Sequence, residues 1–191
     1  MGTPLCALAE KYGSDKCPAI HHTYTPFYYE LLKDFPVTKM LEIGIGSPST
    51  MPYAKNYVAA AGLRMWADFF PNAEVYGIDI YDDFLIGDDV PRVHTHICSQ
   101  ADEAKLLAFA VGYGGFDLIV DDGSHDKDHQ VISAKVLMPF LNSGGIYIIE
   151  DVEFPDYVST SLPYRQERYT GPRVGCGVSD NNLIIMRSSQ W

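Results

Sequence analysis

Basic residues are scarce in this sequence of 191 residues. It contains 14 lysines and arginines against 25 aspartates and glutamates, which gives a formal net charge of -11 at pH 7. Proteins that bind nucleic acid neutralise its phosphates with clustered lysine and arginine side chains, so we expect no nucleic-acid partner. Most acidic residues should form a solvated surface, and the exceptions are clusters at predicted strand ends.

The sequence also lacks long apolar runs and paired cysteines. No run approaches the ~20 apolar residues that a membrane-spanning helix needs, and no signal-peptide pattern opens the chain. The four cysteines show no C-x-x-C pair and no zinc-binding spacing. We expect no membrane partner and a cytoplasmic protein with reduced thiols, while a disulfide between two of them stays compatible with the spacing. The cysteines are Cys6, Cys17, Cys98 and Cys176.

Short apolar segments alternate with amphipathic ones along most of the chain. The length suits one α/β domain over residues 1–191, and the alternation predicts a Rossmann-like, doubly wound, mostly parallel sheet. Residues 1–36 are expected to form a helical lid segment, 47–62 an insertion loop and 159–177 a mobile wall. The predicted strands are 39–43, 74–78, 93–97, 118–120, 146–149 and 183–186.

Two of the predicted strands end in clusters of polar residues. The first cluster holds two carboxylates and an imidazole, and the second holds two carboxylates. These residues are Asp121, Asp122, His125, Glu150 and Asp151. Parallel neighbouring strands bring their carboxyl ends to the same edge of the sheet, so we expect the two clusters to converge. Crowded carboxylates repel one another unless a cation neutralises them, and hard oxygen ligands suit Mg²⁺, Mn²⁺ or Ca²⁺ rather than zinc.

Each of these residues also has a plainer interpretation. Asp121 and Asp122 would serve equally well as helix-capping or surface residues, and a single histidine after a strand is most often structural or exposed. His125 and His129 are four residues apart, a spacing that can hold zinc on a helix. However, no glutamate follows His125 and no third soft ligand is evident. The spacing of Asp122 and His125, together with the acidic pair at 150–151, favours a functional site.

Two glycines follow the first predicted strand, in the pattern Glu42-x-Gly44-x-Gly46. They allow a tight turn and a close approach of the backbone to a ligand, which serves dinucleotides and S-adenosylmethionine (SAM) alike. The third glycine of a dinucleotide fingerprint would fall at Ser49. Asp79, the acidic residue at the next strand end, lies well beyond the ~20 residues that such a fingerprint requires. The pattern therefore disfavours a nicotinamide dehydrogenase.

These motifs occur in the order found in a known family. The sequence resembles the class I SAM-dependent methyltransferases, and more specifically the magnesium-dependent sugar O-methyltransferases of the macrocin and mycinamicin type. Any one motif is weak, whereas the ordered set spans most of the chain and is specific. The motifs are YGSDK at 12–16, YTP at 24–26, LEIGIG at 41–46, LRMW at 63–66, YGIDI at 76–80, DDGSH at 121–125 and IED at 149–151.

The resemblance implies a SAM-binding site at the strand ends. The glycine turn would approach the methionine part of SAM, with the glutamate of the same motif nearby. An aspartate at the end of the second strand would bind the ribose hydroxyls, and a Ser-Gln pair after the third strand would flank the adenine. We also assign to this site one aspartate of the first acidic cluster and an amino-terminal tyrosine. The cofactor-binding residues are thus Glu42, Gly44, Gly46, Asp79, Ser99, Gln100, Asp121 and Tyr24.

The resemblance further implies a divalent-metal site and a catalytic base. Asp122, Glu150 and Asp151 match the family's magnesium ligands, and His125 matches its general base. Pro48 stands where many methyltransferases have a third glycine, so the path of the chain beyond the glycine turn does not follow from the resemblance. We expect no counterpart of the additional amino-terminal oligomerisation domain of some relatives, so assembly does not follow from the resemblance and a homo-oligomer stays open.

The sequence therefore predicts a divalent-metal-dependent O-methyltransferase of secondary metabolism. Its acceptor would be a small hydroxylated natural product, either a sugar or another vicinal diol. A catechol-like phenol is an alternative acceptor, because the acidic cluster permits both. A non-catalytic binding or scaffold protein with the same fold is the third hypothesis, and the presence of the metal ligands and the base disfavours it.

Overall fold

A computed structural model describes residues 2–47, 49–50, 54, 56–82, 90–172 and 181–188. The strands are β1 (Lys39–Ile43), β2 (Glu74–Asp79), β3 (Val93–Ile97), β4 (Phe116–Asp121), β5 (Leu141–Ile149), β6 (Gln166–Thr170) and β7 (Asn182–Arg187). The helices are α1 (Pro4–Tyr12), α2 (Tyr24–Leu32), α3 (Ala61–Phe69), α4 (Glu103–Tyr113), α5 (Lys127–Leu137) and α6 (Pro155–Ser161), with a 3₁₀ turn at Met138–Phe140.

The strands form one sheet in the order β3-β2-β1-β4-β5-β7-β6. The five strands from β3 to β5 run parallel, and β7 runs antiparallel to both β5 and β6. The predicted doubly wound, mostly parallel sheet is confirmed. The chain reverses direction across the sheet between β3 and β4, so that a crevice opens at the carboxyl ends of β1 and β4, the usual ligand position in such sheets.

The central strand β4 explains why the sheet has helices on both faces. Its side chains alternate between the two faces, and all of Leu118, Ile119 and Val120 are fully buried. Leu118 and Val120 pack in the same core as α1, α2 and α3, whereas Ile119 packs with α4 and α5. A continuous apolar run is the expected sequence of a strand that is buried on both sides.

The two amino-terminal helices pack on the first of these faces. The hydroxyl oxygen of Thr3 accepts a hydrogen bond from the Cys6 amide at 3.2 Å at the start of α1, and Gly13, at φ +77°, ends the helix. The chain then passes over the carboxyl edge of the sheet before α2 begins. The Lys16 carbonyl accepts hydrogen bonds from the amides of Tyr24 and Thr25, at 3.1 and 3.0 Å, which fixes this crossing.

The structure corrects one sequence prediction, the mobile wall at 159–177. This segment contains the end of α6 and strand β6, which pairs along its whole length with β7. Strand β6 lies at the sheet edge and carries Gln166, Glu167, Arg168 and Thr170, so it lacks the apolar alternation that marks a half-buried strand. Residues 173–177 lie outside the described part of the chain, as do Pro48, 51–53 and 55 of the predicted insertion loop.

The structure also bears on the expectations about the cysteines and about membrane-spanning helices. Cys6, Cys17 and Cys98 are buried free thiols, and Cys176 lies outside the described residues. Among the helices that the structure describes, none is long and apolar enough to cross a membrane.

Candidate active site

A cleft of about 380 Å³ opens at the carboxyl ends of the parallel strands. Its walls come from the ends of β1, β2 and β3, from the turn after β4, and from 14–16 above the sheet. Pairing in register sets Asp121 beside Ile149, and the Glu150 amide donates to the Asp121 carbonyl at 2.9 Å. The residues that follow β4 and β5 therefore leave the sheet side by side. This volume is within the usual range of small-molecule sites.

The glycine turn after β1 is held by Asp79 of β2. Gly44 and Gly46 have φ values of +86° and +74°, a region that strongly favours glycine. The Asp79 carboxylate accepts hydrogen bonds from the amides of Ile45 and Ile80, at 2.8 and 2.7 Å. All of these residues line the cleft. Asp79 thus holds the turn in place at one end of the cleft, where the sequence predicts that it also binds ribose.

Ser99 and Gln100 both line the cleft, yet the Gln100 amide is directed into the protein. Its Nε2 donates to Asp121 at 3.0 Å, and its Oε1 accepts from the Ser124 amide at 2.6 Å. The Ser99 hydroxyl accepts only from the nearby Ala101 amide, at 3.2 Å, among the bonds that the structure describes. Gln100 therefore links β4 to the turn that carries His125.

Asp121 and Tyr24 lie behind the cleft, and neither is among the described residues that line it. Asp121 is 1% exposed and accepts hydrogen bonds from Gln100, Ser133 and Tyr147. Burial raises the pKa of Asp121 to about 6, against the opposing effect of these bonds. The Tyr24 hydroxyl donates to Asp151. Both side chains support residues that face the cleft, and their assignment to SAM itself stays a prediction.

Asp122, His125 and Asp151 come together at the mouth of the cleft. One ligand atom from each lies within 4.8 Å of the others, a group that can hold a metal ion. The His125 Nε2 atom lies 3.1 Å from Asp122 Oδ1 and 3.5 Å from Asp151 Oδ2. Lys16 holds the second Asp122 oxygen, and Tyr24 holds the second Asp151 oxygen. Each carboxylate is thus anchored through one oxygen and presents the other to His125, and for Asp151 this second oxygen also lies 3.4 Å from His22 Nε2.

The backbone around this group is unusual. His125 and Asp151 have φ values of +58° and +50°, which non-glycine residues rarely adopt. Helix α5 begins two residues after His125, and its N-cap is Asp126, whose side chain accepts from the amides of Asp128 and His129. Strained residues of this kind cluster at functional sites, where the surrounding structure holds them in place.

The carboxylates also set the protonation of His125. Partial burial lowers the pKa of its imidazole, but the hydrogen bond to Asp122 and the charges of Asp122 and Asp151 outweigh that effect and raise the pKa to about 9. Its side chain is 41% exposed. A protonated His125 therefore pairs with both aspartates, and Asp122 also pairs with the Lys16 ammonium.

Sequence reasoning missed Lys16, whose ammonium group lies among the acidic residues. Its side chain is 2% exposed, and Nζ lies 2.8 Å from Glu150 Oε2 and 3.4 Å from Glu42 Oε1 as well as in contact with Asp122. Burial alone would lower the Lys16 pKa, but the three carboxylates raise it well above its ordinary value. The YGSDK motif at 12–16 contained this lysine, although nothing in its local pattern shows which strand ends it reaches.

Glu150 lies beside the metal-binding group rather than within it. Its Oε1 accepts from the Tyr28 hydroxyl at 2.6 Å and its Oε2 from Lys16. Its role as a metal ligand stays a prediction. Glu42 likewise faces inward, accepting from the Trp66 indole at 3.2 Å, and its other oxygen is buried with no hydrogen-bond partner among the residues that the structure describes.

Comparison with known proteins connects this site to a chemistry. No family model matches the chain. It is 39% identical over 152 residues to 8-demethyl-8-alpha-L-rhamnosyl tetracenomycin-C 2'-O-methyltransferase of Streptomyces olivaceus, covering 78% of this chain and 38% of that protein. It is 35% identical over 150 residues to mycinamicin VI 2''-O-methyltransferase of Micromonospora griseorubida, covering 78% and 36%. The chain thus spans little more than a third of the curated relatives that it matches.

A solved structure extends the match to the whole fold. MycE methyltransferase from the mycinamycin biosynthetic pathway, in complex with Mg, SAH and mycinamycin VI, superposes with a TM-score of 0.75 at 25% identity, covering 98% of this chain and 55% of that one. Its match includes the sheet whose carboxyl edge forms the cleft. The chain therefore has the class I SAM-dependent methyltransferase fold and is related in sequence to bacterial sugar O-methyltransferases of the macrocin and mycinamicin type.

Proposed function

We propose that this chain transfers a methyl group from SAM to a hydroxyl of a glycosylated natural product, with the help of a divalent metal ion. The observation that carries the proposal is the convergence of Asp122, His125 and Asp151 at the mouth of a cleft that begins at the Gly44–Gly46 turn. The relatives support a sugar hydroxyl as acceptor, since their names specify O-methylation of mycinamicin VI and of a rhamnosyl tetracenomycin.

The SAM end of the cleft would be formed by the glycine turn, Asp79 and Ser99. The turn offers bare backbone, which permits close approach of a ligand. The Asp79 carboxylate and the Ser99 hydroxyl lie at the ends of adjacent strands, β2 and β3, and supply polar groups for a ribose and an adenine. Glu42 lies beneath the turn, as the resemblance requires for a residue near the methionine part.

The donor set at the other end fits a hard divalent ion. Asp122 and Asp151 each have one oxygen anchored by a protein donor, and the remaining oxygens both lie near His125 Nε2, with His22 Nε2 also 3.4 Å from that of Asp151. Carboxylate oxygens are the ligands that Mg²⁺, Mn²⁺ and Ca²⁺ prefer. These two aspartates would hold the ion, and Glu150, the third ligand that the resemblance implies, lies beside them in contact with Lys16.

The proton of the acceptor hydroxyl would leave through His125. When bound, SAM supplies an electrophilic methyl group, and the divalent ion supplies positive charge beside the acceptor hydroxyl. The Nε2 atom of His125 faces the same space, where it would accept the proton as a general base. Positive charge between Asp122 and Asp151 would also offset the carboxylate charges that raise the His125 pKa, and so favour the neutral imidazole that a base requires.

Calorimetric titration of the chain with SAM and with S-adenosylhomocysteine (SAH), each with and without Mg²⁺, tests the first half of the proposal. Methyl transfer is then followed by mass spectrometry on mycinamicin VI, a rhamnosyl tetracenomycin and catechol. We expect methylation of a glycoside, loss of activity with a chelator, and recovery with Mg²⁺. Preferential methylation of catechol would move the acceptor to phenols, and failure to bind either SAM or SAH would support a non-catalytic protein.

A further inference from the structure

Lys16 is a fully buried lysine whose place in the fold does not depend on its charge alone. It lies in the segment between α1 and α2, and its carbonyl accepts hydrogen bonds from the amides of Tyr24 and Thr25, at 3.1 and 3.0 Å. These bonds join its main chain to the first turn of α2. The side chain is thereby directed from a fixed backbone position onto the carboxyl edge of the sheet.

Its ammonium group contacts carboxylates at the ends of three adjacent strands. Glu42 belongs to β1, Asp122 follows β4 and Glu150 follows β5. An ammonium group has three N–H donors, so Lys16 can serve all three partners at once. Two of these carboxylates, at positions 42 and 150, are 1% exposed, and without a positive charge among them the three carboxylates would repel one another when ionised.

The contact with Asp122 has a geometric consequence. Lys16 takes Oδ2, which leaves Oδ1 as the oxygen that faces His125 Nε2, at 3.1 Å. Tyr24 likewise holds Oδ1 of Asp151, whose Oδ2 lies 3.5 Å from His125 Nε2 and 3.4 Å from His22 Nε2. Groups that orient a metal ligand in this manner typically raise metal affinity because the ligand is held in its binding geometry before the metal arrives.

We infer that Lys16 is a positioning residue for the divalent site, which it builds by anchoring Asp122 and by keeping Asp122, Glu150 and Glu42 together. The inference rests on the proposed function, because it assumes that Asp122 binds a divalent ion. An anchoring role and a purely electrostatic role of Lys16 predict opposite effects on the affinity for the cation. A positive charge beside a cation site opposes cation binding, whereas an anchor for a ligand favours it.

The test is Mn²⁺ binding to the full chain, measured by electron paramagnetic resonance without SAM or acceptor. Lys16→Met should weaken Mn²⁺ binding by ~10–100-fold, the usual cost of removing a group that orients a metal ligand. Lys11→Met is the matched control, because Lys11 is 56% exposed and pairs only with Asp68 and Tyr12 in the described structure. Its Mn²⁺ affinity should equal that of the wild type.

A charge-balanced variant separates anchoring from charge, and it also serves if Lys16→Met alone does not fold. Above about pH 8, where Glu42 is ionised, Lys16→Met with Glu42→Gln removes one positive and one negative charge, so the Coulomb effect on the metal site largely cancels while the anchor of Asp122 is still missing. We expect at least ~10-fold weaker Mn²⁺ binding than in the wild type. Equal or tighter binding in the double variant would overturn the inference.

The outcomes also separate this inference from the proposed function. If the wild type binds Mn²⁺ and Lys16→Met binds it with equal or higher affinity, only the role of Lys16 is contradicted. A wild-type chain that binds no Mn²⁺ contradicts the divalent site itself and the inference with it.

Discussion

Gly44 lies directly against the main chain of Asp122. A Cβ atom on Gly44 would be 2.0 Å from the Asp122 carbonyl oxygen, far inside van der Waals contact. The Asp122 amide in turn donates to the Ile43 carbonyl at 2.9 Å. The turn that is predicted to approach SAM and the strand end that is predicted to bind metal are therefore in backbone contact, so any displacement of one moves the other.

Gly44→Ala should destabilise the protein and weaken SAH binding. A side chain at φ +86° costs about 1–2 kcal/mol, and the contact with Asp122 adds about 1–3 kcal/mol of overpacking. Since about 1 kcal/mol lowers Tm by ~2–4 °C for a protein of this size, a fall of several degrees is expected in thermal unfolding. Gly112→Ala is the control, because a Cβ on Gly112 meets nothing within 4 Å. A wild-type Tm and SAH affinity in Gly44→Ala would contradict the close contact.

The parts of the fold that the sequence predicts well are those governed by local pattern. The strands 39–43 and 93–97 have the predicted bounds, since each is a short β-prone segment that ends at a loop. The convergence of the residues after β4 and β5 follows from parallel pairing, which brings successive strand ends to one edge. For this reason the sequence alone is enough to group Asp122, His125 and Asp151.

What the sequence does not show depends on contacts between distant segments. Lys16 meets Asp122 and Glu150 at separations of 106 and 134 residues, and no local pattern reports such pairs. The inward direction of Gln100 depends in the same way on Asp121 and Ser124, which belong to another strand and its turn. A motif can therefore mark a residue as belonging to a site without showing whether it faces the ligand or supports its neighbours.

His125→Ala should remove most turnover and leave SAH binding near wild type. A general base contributes ~10²–10⁴ to the rate, and His125 lies at the metal end of the cleft rather than at the glycine turn. Single-turnover methyl transfer and SAH calorimetry measure the two effects separately. His94→Ala, a partly exposed histidine on β3 that pairs with Glu74, is the control. Near-normal turnover in His125→Ala would remove the base assignment.

Gln100→Ala should lower stability, because it removes two hydrogen bonds. Asp121 loses one of its donors and the partly buried Ser124 amide loses its acceptor, and each lost hydrogen bond costs about 1–2 kcal/mol. Chemical unfolding should show the loss. Ser99→Ala, which removes only the bond to the exposed Ala101 amide, should stay within about 0.5 kcal/mol of wild type. Equal stability of the two variants would mean that Gln100 does not hold the turn.

Glu42 should give the protein a pH-dependent stability with a definite sign. Burial raises the pKa of Glu42 to about 7 in the folded state, against the opposing charge of Lys16, whereas its ordinary value is 4.5. Between these values the folded state binds more protons than the unfolded state does. The contribution of Glu42 to the free energy of unfolding therefore falls as the pH rises from about 4.5 to about 7.

Glu42→Gln removes this titration while it preserves an oxygen that can accept from the Trp66 indole, 3.2 Å away in the wild type. As the pH rises from about 5 to about 8, the free energy of unfolding of the variant should increase by about 1–3 kcal/mol relative to that of the wild type, because one pKa unit corresponds to ~1.4 kcal/mol. Urea unfolding at both pH values measures the difference. Glu167→Gln, on the exposed edge strand β6, should show no such trend. If Glu42→Gln followed the wild type at both pH values, the buried carboxyl would already be ionised throughout, and Lys16 would have to compensate its burial fully.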